Sequence, residues 1–126
     1  GPMAEQRWGR VIAMSSVSGK IGGAYRSAYH AAKHGVIGFV RSVALEVADS
    51  GVTVNAICPG GLLGNWTRKI MTEEAYQKRV EEAETKFPLQ KPVMPTDVAK
   101  VALWLIEEAG LMTGEAFRMD AGQHLI

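Results

Sequence analysis

Two short apolar runs, residues 11–14 and 52–57, stand on either side of a long segment with helical spacing, and that order does most to limit what the chain can fold into. Val11-Ile12-Ala13-Met14 lies between Gly9 and a pair of serines, and an unbroken apolar run of that length suits a strand covered on both faces. Residues 52–57 are rich in β-branched side chains and end at Pro59, which reads as a second strand. Between them Ala28, Ala32, Gly35, Phe39, Ser42, Val43 and Glu46 recur at three- and four-residue steps. That spacing predicts one helix over 27–48, stopped by Asp49-Ser50-Gly51, with a stripe of small residues that permits close packing. A parallel connection is the natural way to join the two strands.

Further along, Pro95-Thr96-Asp97 opens an amphipathic helix through about residue 109, closed by Gly110, with Val98, Val101, Ala102, Leu105 and Ile106 as its buried stripe. Residues 116–119 read as a final short strand. Right-handed crossovers then set three parallel strands side by side with helices flanking them, an α/β architecture. Residues 60–94 interrupt that order. Gly60, Gly61 and Gly64 loosen the chain, and a charged helix over 72–85 follows with Thr72 as its N-cap, so the segment reads as a small helical lid. Trp66, Met71, Phe87 and Met94 either line an apolar pocket for a small carbonyl substrate or pack the lid on the core. The glutamates of this helix alternate with Lys78, Arg79 and Lys86, as on a solvated face.

Chemistry concentrates near the start of the long helix. Tyr29 and Lys33 are four residues apart and so lie on one helical face, with Ser16 at the end of the first strand. Acid–base work by a phenol near neutral pH requires its anion to be stabilised by roughly 4 kcal/mol, and an ammonium one turn away in a partly dry pocket supplies much of that. A serine hydroxyl can then donate to a substrate oxygen as charge develops on it. By itself the pair also fits a bland reading, an exposed lysine beside a half-buried tyrosine.

The context of these residues resembles the short-chain dehydrogenase/reductase family over nearly the whole chain. Trp8-Gly9-Arg10-Val11-Ile12-Ala13-Met14-Ser15-Ser16 is similar to that family's strand ending in the catalytic serine, and Tyr29 and Lys33 fall where its catalytic tyrosine and lysine belong. Val54-Asn55-Ala56-Ile57-Cys58-Pro59-Gly60 resembles the next strand and the turn bordering the nicotinamide, and residues 112–122 resemble the last strand. Within the family, Ala31-Ala32-Lys33-His34-Gly35-Val36 and Asn55-Ala56-Ile57-Cys58-Pro59-Gly60 look most like the 3-hydroxybutyrate dehydrogenase branch. The resemblance implies the C-terminal half of a Rossmann-like doubly wound sheet acting on a small alcohol or carbonyl substrate with NAD or NADP. It implies catalytic roles for Ser16, Tyr29 and Lys33, cofactor contacts from Lys33, Pro59, Gly60 and Leu62, and substrate contacts from Ser18 and Trp66.

Departures from the family pattern shape the expectations too. The family's Thr-Gly-x-x-x-Gly-x-Gly turn, its Asn-Asn-Ala-Gly segment and its catalytic asparagine do not occur in these 126 residues, and Gly64 stands where a threonine often reaches the cofactor, with Thr67 three residues later. A glycine-rich turn at a helix N-terminus is what holds a dinucleotide's pyrophosphate. The isolated chain is therefore expected to bind NAD or NADP poorly or not at all and to be inactive alone. The alternative is a non-catalytic truncated domain that self-associates, as a homodimer or swapped assembly, through a bare sheet edge and the Phe39 and Val43 side of the long helix.

The remaining expectations are bounds. A chain of 126 residues, 47% apolar, has room for one core, and 4–126 reads as one partial domain after Gly1-Pro2-Met3, which looks like a protease scar. A net charge of +1 without blocks of like charge gives no reason to expect nucleic acid or an anionic membrane as partner. No run reaches the roughly 20 apolar residues needed to span a bilayer. Cys58 is the only cysteine, which excludes an intramolecular disulfide and fits the cytoplasm. His30 and His34 lack a carboxylate at ligand spacing and read as surface residues, not metal ligands, as does His124 in the tail, while Asp120 reads as a strand terminator.

Overall fold

Strand β2 (Val52–Pro59) is buried along its whole length, and the rest of the molecule is arranged around it. The computed structural model describes residues 1–126. Strand β1 (Gly9–Met14) pairs parallel to β2 on one side, with Val11 opposite Val54 and Ala13 opposite Ala56. Strand β3 (Ala116–Met119) pairs parallel on the other, with Ile57 opposite Phe117. The order is β1-β2-β3, the three-stranded parallel sheet expected, and β1 has β2 as its one neighbour.

The two-residue period of a strand decides which side chain meets which helix. Even-numbered residues of β2 (Val52, Val54, Ala56 and Cys58) pack with Ile37, Val40 and Ala44 of helix α2 (Ser27–Glu46). Ile57 points the other way, against Val98, Leu105 and Ala109 on and just beyond helix α5 (Pro95–Glu107). Helices therefore cover both faces of the sheet, and each fully buried Val or Ile contributes about 1.5–3 kcal/mol relative to exposure.

The face that α2 buries differs from the expected stripe. His30, Ile37, Val40 and Ala44 turn inward, whereas Phe39 is 59% exposed and Gly35 and Gly38 have nothing near them. Residues 37, 40 and 44 follow one another at three- and four-residue steps and so share the face turned to the sheet, with Val43 of the expected stripe partly buried beside them. The helix also ends at Glu46, and a short 3-10 turn (Ala48–Ser50) leads into Gly51, whose φ of +73° suits glycine. Along α5 the expected stripe holds for Val98, Val101, Ala102 and Leu105, but Ile106 is 40% exposed and Ala109 is buried in its stead. Pro95 opens α5, and the Asp97 carboxylate accepts from the Met94 N–H at 2.9 Å.

Residues 60–94 form an excursion whose two ends are tied together where Leu62 bridges Val93. It carries helix α3 (Asn65–Ile70) and helix α4 (Glu73–Lys86). Thr72 caps α4 as expected, its Oγ1 accepting from the Ala75 N–H at 3.2 Å. The Arg68 guanidinium lies 4.5 Å from the centre of the Tyr76 ring and 3.5 Å from the Glu73 carboxylate, which fixes the corner between the two helices. At the N-terminus, Pro2–Glu5 make a single helical turn (α1), and Met3 packs over Gly9 so closely that a Cβ there would lie 2.7 Å from the methionine Cβ; residues set aside on sequence grounds thus enter the fold.

Candidate functional site

The C-terminal ends of β1 and β2 open onto a cleft of about 1160 Å³, walled on the far side by α4 and the chain's last residues. Ser16, Ser18, Tyr29 and Gly60 all line it. Ser16 lies two residues beyond the end of β1 and, in extended conformation, caps the 3-10 turn Val17–Gly19, so that its Oγ accepts from the Ser18 N–H at 3.1 Å. That bond occupies a lone pair and leaves the hydroxyl hydrogen for another acceptor.

Tyr29 lies in the first turn of α2 and is 48% exposed at the cleft. One turn later, the Lys33 ammonium stands 5.8 Å from the centre of the Tyr29 ring and donates to the Met14 carbonyl at 3.1 Å. The Lys33 carbonyl in turn accepts from Ser15 Oγ at 2.9 Å, so α2 is clamped to the end of β1 at this level. Of the ammonium's three hydrogens, two remain unassigned. Gly60 approaches Asp120 so closely that an added Cβ would sit 2.9 Å from the Asp120 Cβ.

The other residues singled out from sequence are placed apart from this group. Pro59 is buried at the end of β2, and Leu62 is half-buried at its bridge with Val93; neither lines the cleft. Trp66 is 70% exposed on α3 and also lies outside it, as do Met71 and Met94, while Phe87 is part of the wall. The Thr67 hydroxyl is buried and already committed, accepting from the Gly64 N–H and donating to the Gly64 carbonyl, both at 2.8 Å.

Three residues of the cleft escaped the sequence reading. His30 is not on the surface: it is 9% exposed, with Nδ1 2.9 Å from the Ser18 carbonyl and 2.7 Å from that of Ile21. A signal was available, because 30, 37 and 44 are spaced by seven and the last two are core. Asp120 is more than a strand terminator. Its buried carboxylate accepts from the N–H groups of Gly122 and His124 and lies 2.9 Å from His124 Nδ1, which turns the tail back over the cleft. The spacing Asp-x-x-x-His was the signal there.

Residues 1–124 match the family model described as Enoyl-(Acyl carrier protein) reductase. D-beta-hydroxybutyrate dehydrogenase of Rhizobium meliloti is 39% identical over 129 residues, covering 96% of this chain and 50% of that protein. Among solved structures, aldohexose dehydrogenase of Thermoplasma acidophilum superposes with a TM-score of 0.86 at 29% identity, over 98% of this chain and 51% of that one. A 4-hydroxyisoleucine dehydrogenase mutant complexed with NADH and succinate gives a TM-score of 0.82 at 28% identity, over 99% and 51%. The chain thus spans about half the length of the relatives it matches.

Proposed function

The chain belongs to the short-chain dehydrogenase/reductase family, and from that premise we propose that it is the catalytic and substrate half of an NAD(P)-dependent oxidoreductase that interconverts small alcohols and ketones. The observation that carries this reading is the meeting of two hydroxyls, Ser16 with its hydrogen uncommitted and Tyr29 with an ammonium behind it, on one cleft. Ser16 donates to the substrate oxygen and holds it beside the phenol. Tyr29 gives its proton to that oxygen during reduction and takes it back during oxidation. The Lys33 ammonium, 5.8 Å from the centre of the Tyr29 ring, places a positive charge beside the phenolate that forms.

The residues present fit the nicotinamide end of the coenzyme. Lys33 has two N–H donors left for ribose hydroxyls, and the close approach at Gly60 leaves the turn after β2 free of side chains. When bound, the nicotinamide supplies or takes the hydride at the substrate carbon. On the far side the cleft is walled by α4 and Phe87. The test is oxidation of 3-hydroxybutyrate, and reduction of simple ketones, with the coenzyme at several millimolar to offset the missing phosphate turn. Turnover above a no-protein control, with submillimolar binding of NADH or NADPH, would support the reading against the expectation that the chain alone is inactive. No turnover and no binding at several millimolar would overturn the reading.

A second reading, a non-catalytic domain that self-associates, is favoured by one observation: β1 presents an unpaired edge, beside a long helix whose Phe39 is 59% exposed. Light scattering at high micromolar concentration decides it. A dimer or larger species is expected, and a compact monomer removes self-association from consideration.

A further inference from the structure

The loop between Ser18 and the start of α2 supplies Ile21, Gly22, Gly23 and Ala24 to the wall of the cleft, yet it is nearly without internal support. The His30 bond to the Ile21 carbonyl is the one hydrogen bond made by any residue from 21 to 25. The backbone there is also strained: Tyr25 has a φ of +61°, which costs a bulky residue about 1–2 kcal/mol. Something outside the loop must hold its shape.

We propose that His30 is that support, a positioning residue that sets Ser16 and Ser18 against Tyr29 through one shared hydrogen. Both partners of Nδ1 are backbone carbonyls, at 2.9 and 2.7 Å, and carbonyls only accept. Nδ1 therefore carries the hydrogen and donates it as a three-centre bond to Ser18 and Ile21. The opposite edge of the ring is held by Gly23, where an added Cβ would come within 3.1 Å of Cε1 and closer still to Nε2. The Tyr29 ring meets the imidazole edge-to-face at 6.3 Å and 89°.

The path to the site is short. His30 fixes the carbonyl of Ser18, and the N–H of the same Ser18 fixes the Ser16 hydroxyl. The serine and the tyrosine of the cleft are thus placed relative to each other by the residue that follows the tyrosine. The inference rests on the oxidoreductase reading for its consequence in catalysis, but not for its test.

His30→Leu removes the donor, and His30→Asn restores it, because the asparagine Nδ2 is as many bonds from the backbone as Nδ1. By hydrogen exchange, the amides of residues 18–20 should exchange about five- to tenfold faster in His30→Leu and return to the wild-type rate in His30→Asn. Gly23→Ala, which leaves His30 in place but pushes on its ring, should accelerate the same amides and covers the case in which His30→Leu does not fold. Long-range proton–nitrogen spectra of the wild type should show Nδ1 as the protonated ring nitrogen. Where turnover is measured, kcat should fall in His30→Leu with KM for coenzyme unchanged, and recover in His30→Asn. Unchanged exchange in both His30→Leu and Gly23→Ala, or a neutral ring protonated at Nε2, would overturn the proposal. A wild type with neither turnover nor coenzyme binding would count against the oxidoreductase reading and leave the exchange result to decide His30.

Discussion

Tyr29→Phe should lower kcat for ketone reduction by about 10²- to 10⁴-fold, the range for removing a positioned acid–base group, while leaving the thermal midpoint where it was. The asymmetry follows from the environment. The Tyr29 side chain is 48% exposed, and its hydroxyl makes no hydrogen bond within the protein, so removing it should change stability by no more than about 0.5 kcal/mol. What the ring contributes to structure, the edge-to-face contact with His30 and the cation at 5.8 Å, a phenylalanine keeps. Rates measured under the turnover conditions above, beside a melting curve of each protein, check both halves. A variant that retains more than about a tenth of wild-type kcat would remove Tyr29 from the chemistry.

Asn55→Ala should do the reverse, with its main effect on folding. Asn55 is 1% exposed on β2, in the face that meets α5. Its Nδ2 donates to the Met112 carbonyl at 2.8 Å, and its Oδ1 accepts from the Glu115 N–H at 3.1 Å. One side chain thus shapes the turn that delivers β3 to the sheet, helped by Thr113, whose Oγ1 accepts from the Val54 N–H at 3.0 Å. Truncation leaves a carbonyl and an N–H without partners and opens a void, at a combined cost of about 3 kcal/mol. Urea unfolding monitored by circular dichroism measures it. A loss below about 1 kcal/mol would mean that the 112–115 turn holds itself.

What could be read from the sequence was whatever depends on short-range pattern. The limits of β3, the start of α5 at Pro95 and the capping by Thr72 each rest on residues adjacent in the chain, and the structure has them where they were expected. Rotation of α2 could not be read the same way. A helix containing Ala28, Ala31, Ala32, Gly35, Gly38 and Ser42 offers small residues on several faces, and its partner, a sheet with room for Ile37 and Val40, exists only after folding. His30 differs from its expected place for a related reason: an imidazole looks polar in a sequence, but the two carbonyls that satisfy it belong to residues nine and twelve positions earlier. Trp66 shows the opposite error of expectation. Its place after the Gly60–Gly64 stretch suggested a wall of the cleft, but α3 carries it outward to 70% exposure.

The single-neighbour status of β1 has a kinetic meaning. Lys33 is anchored to the carbonyl of Met14, the last residue of a strand laced to the sheet on one side only, whereas β2 is laced on both. Local opening costs least where a segment has fewest partners, so the end of β1 should detach and return many times for each global unfolding event. Each excursion frees the ammonium and the backbone leading into Ser16 while the core of Ile57, Val40 and Leu105 stays closed. The fraction of molecules holding an assembled serine–tyrosine–lysine group is then a separate quantity from the fraction folded, and a polypeptide pairing with that edge would raise the first more than the second.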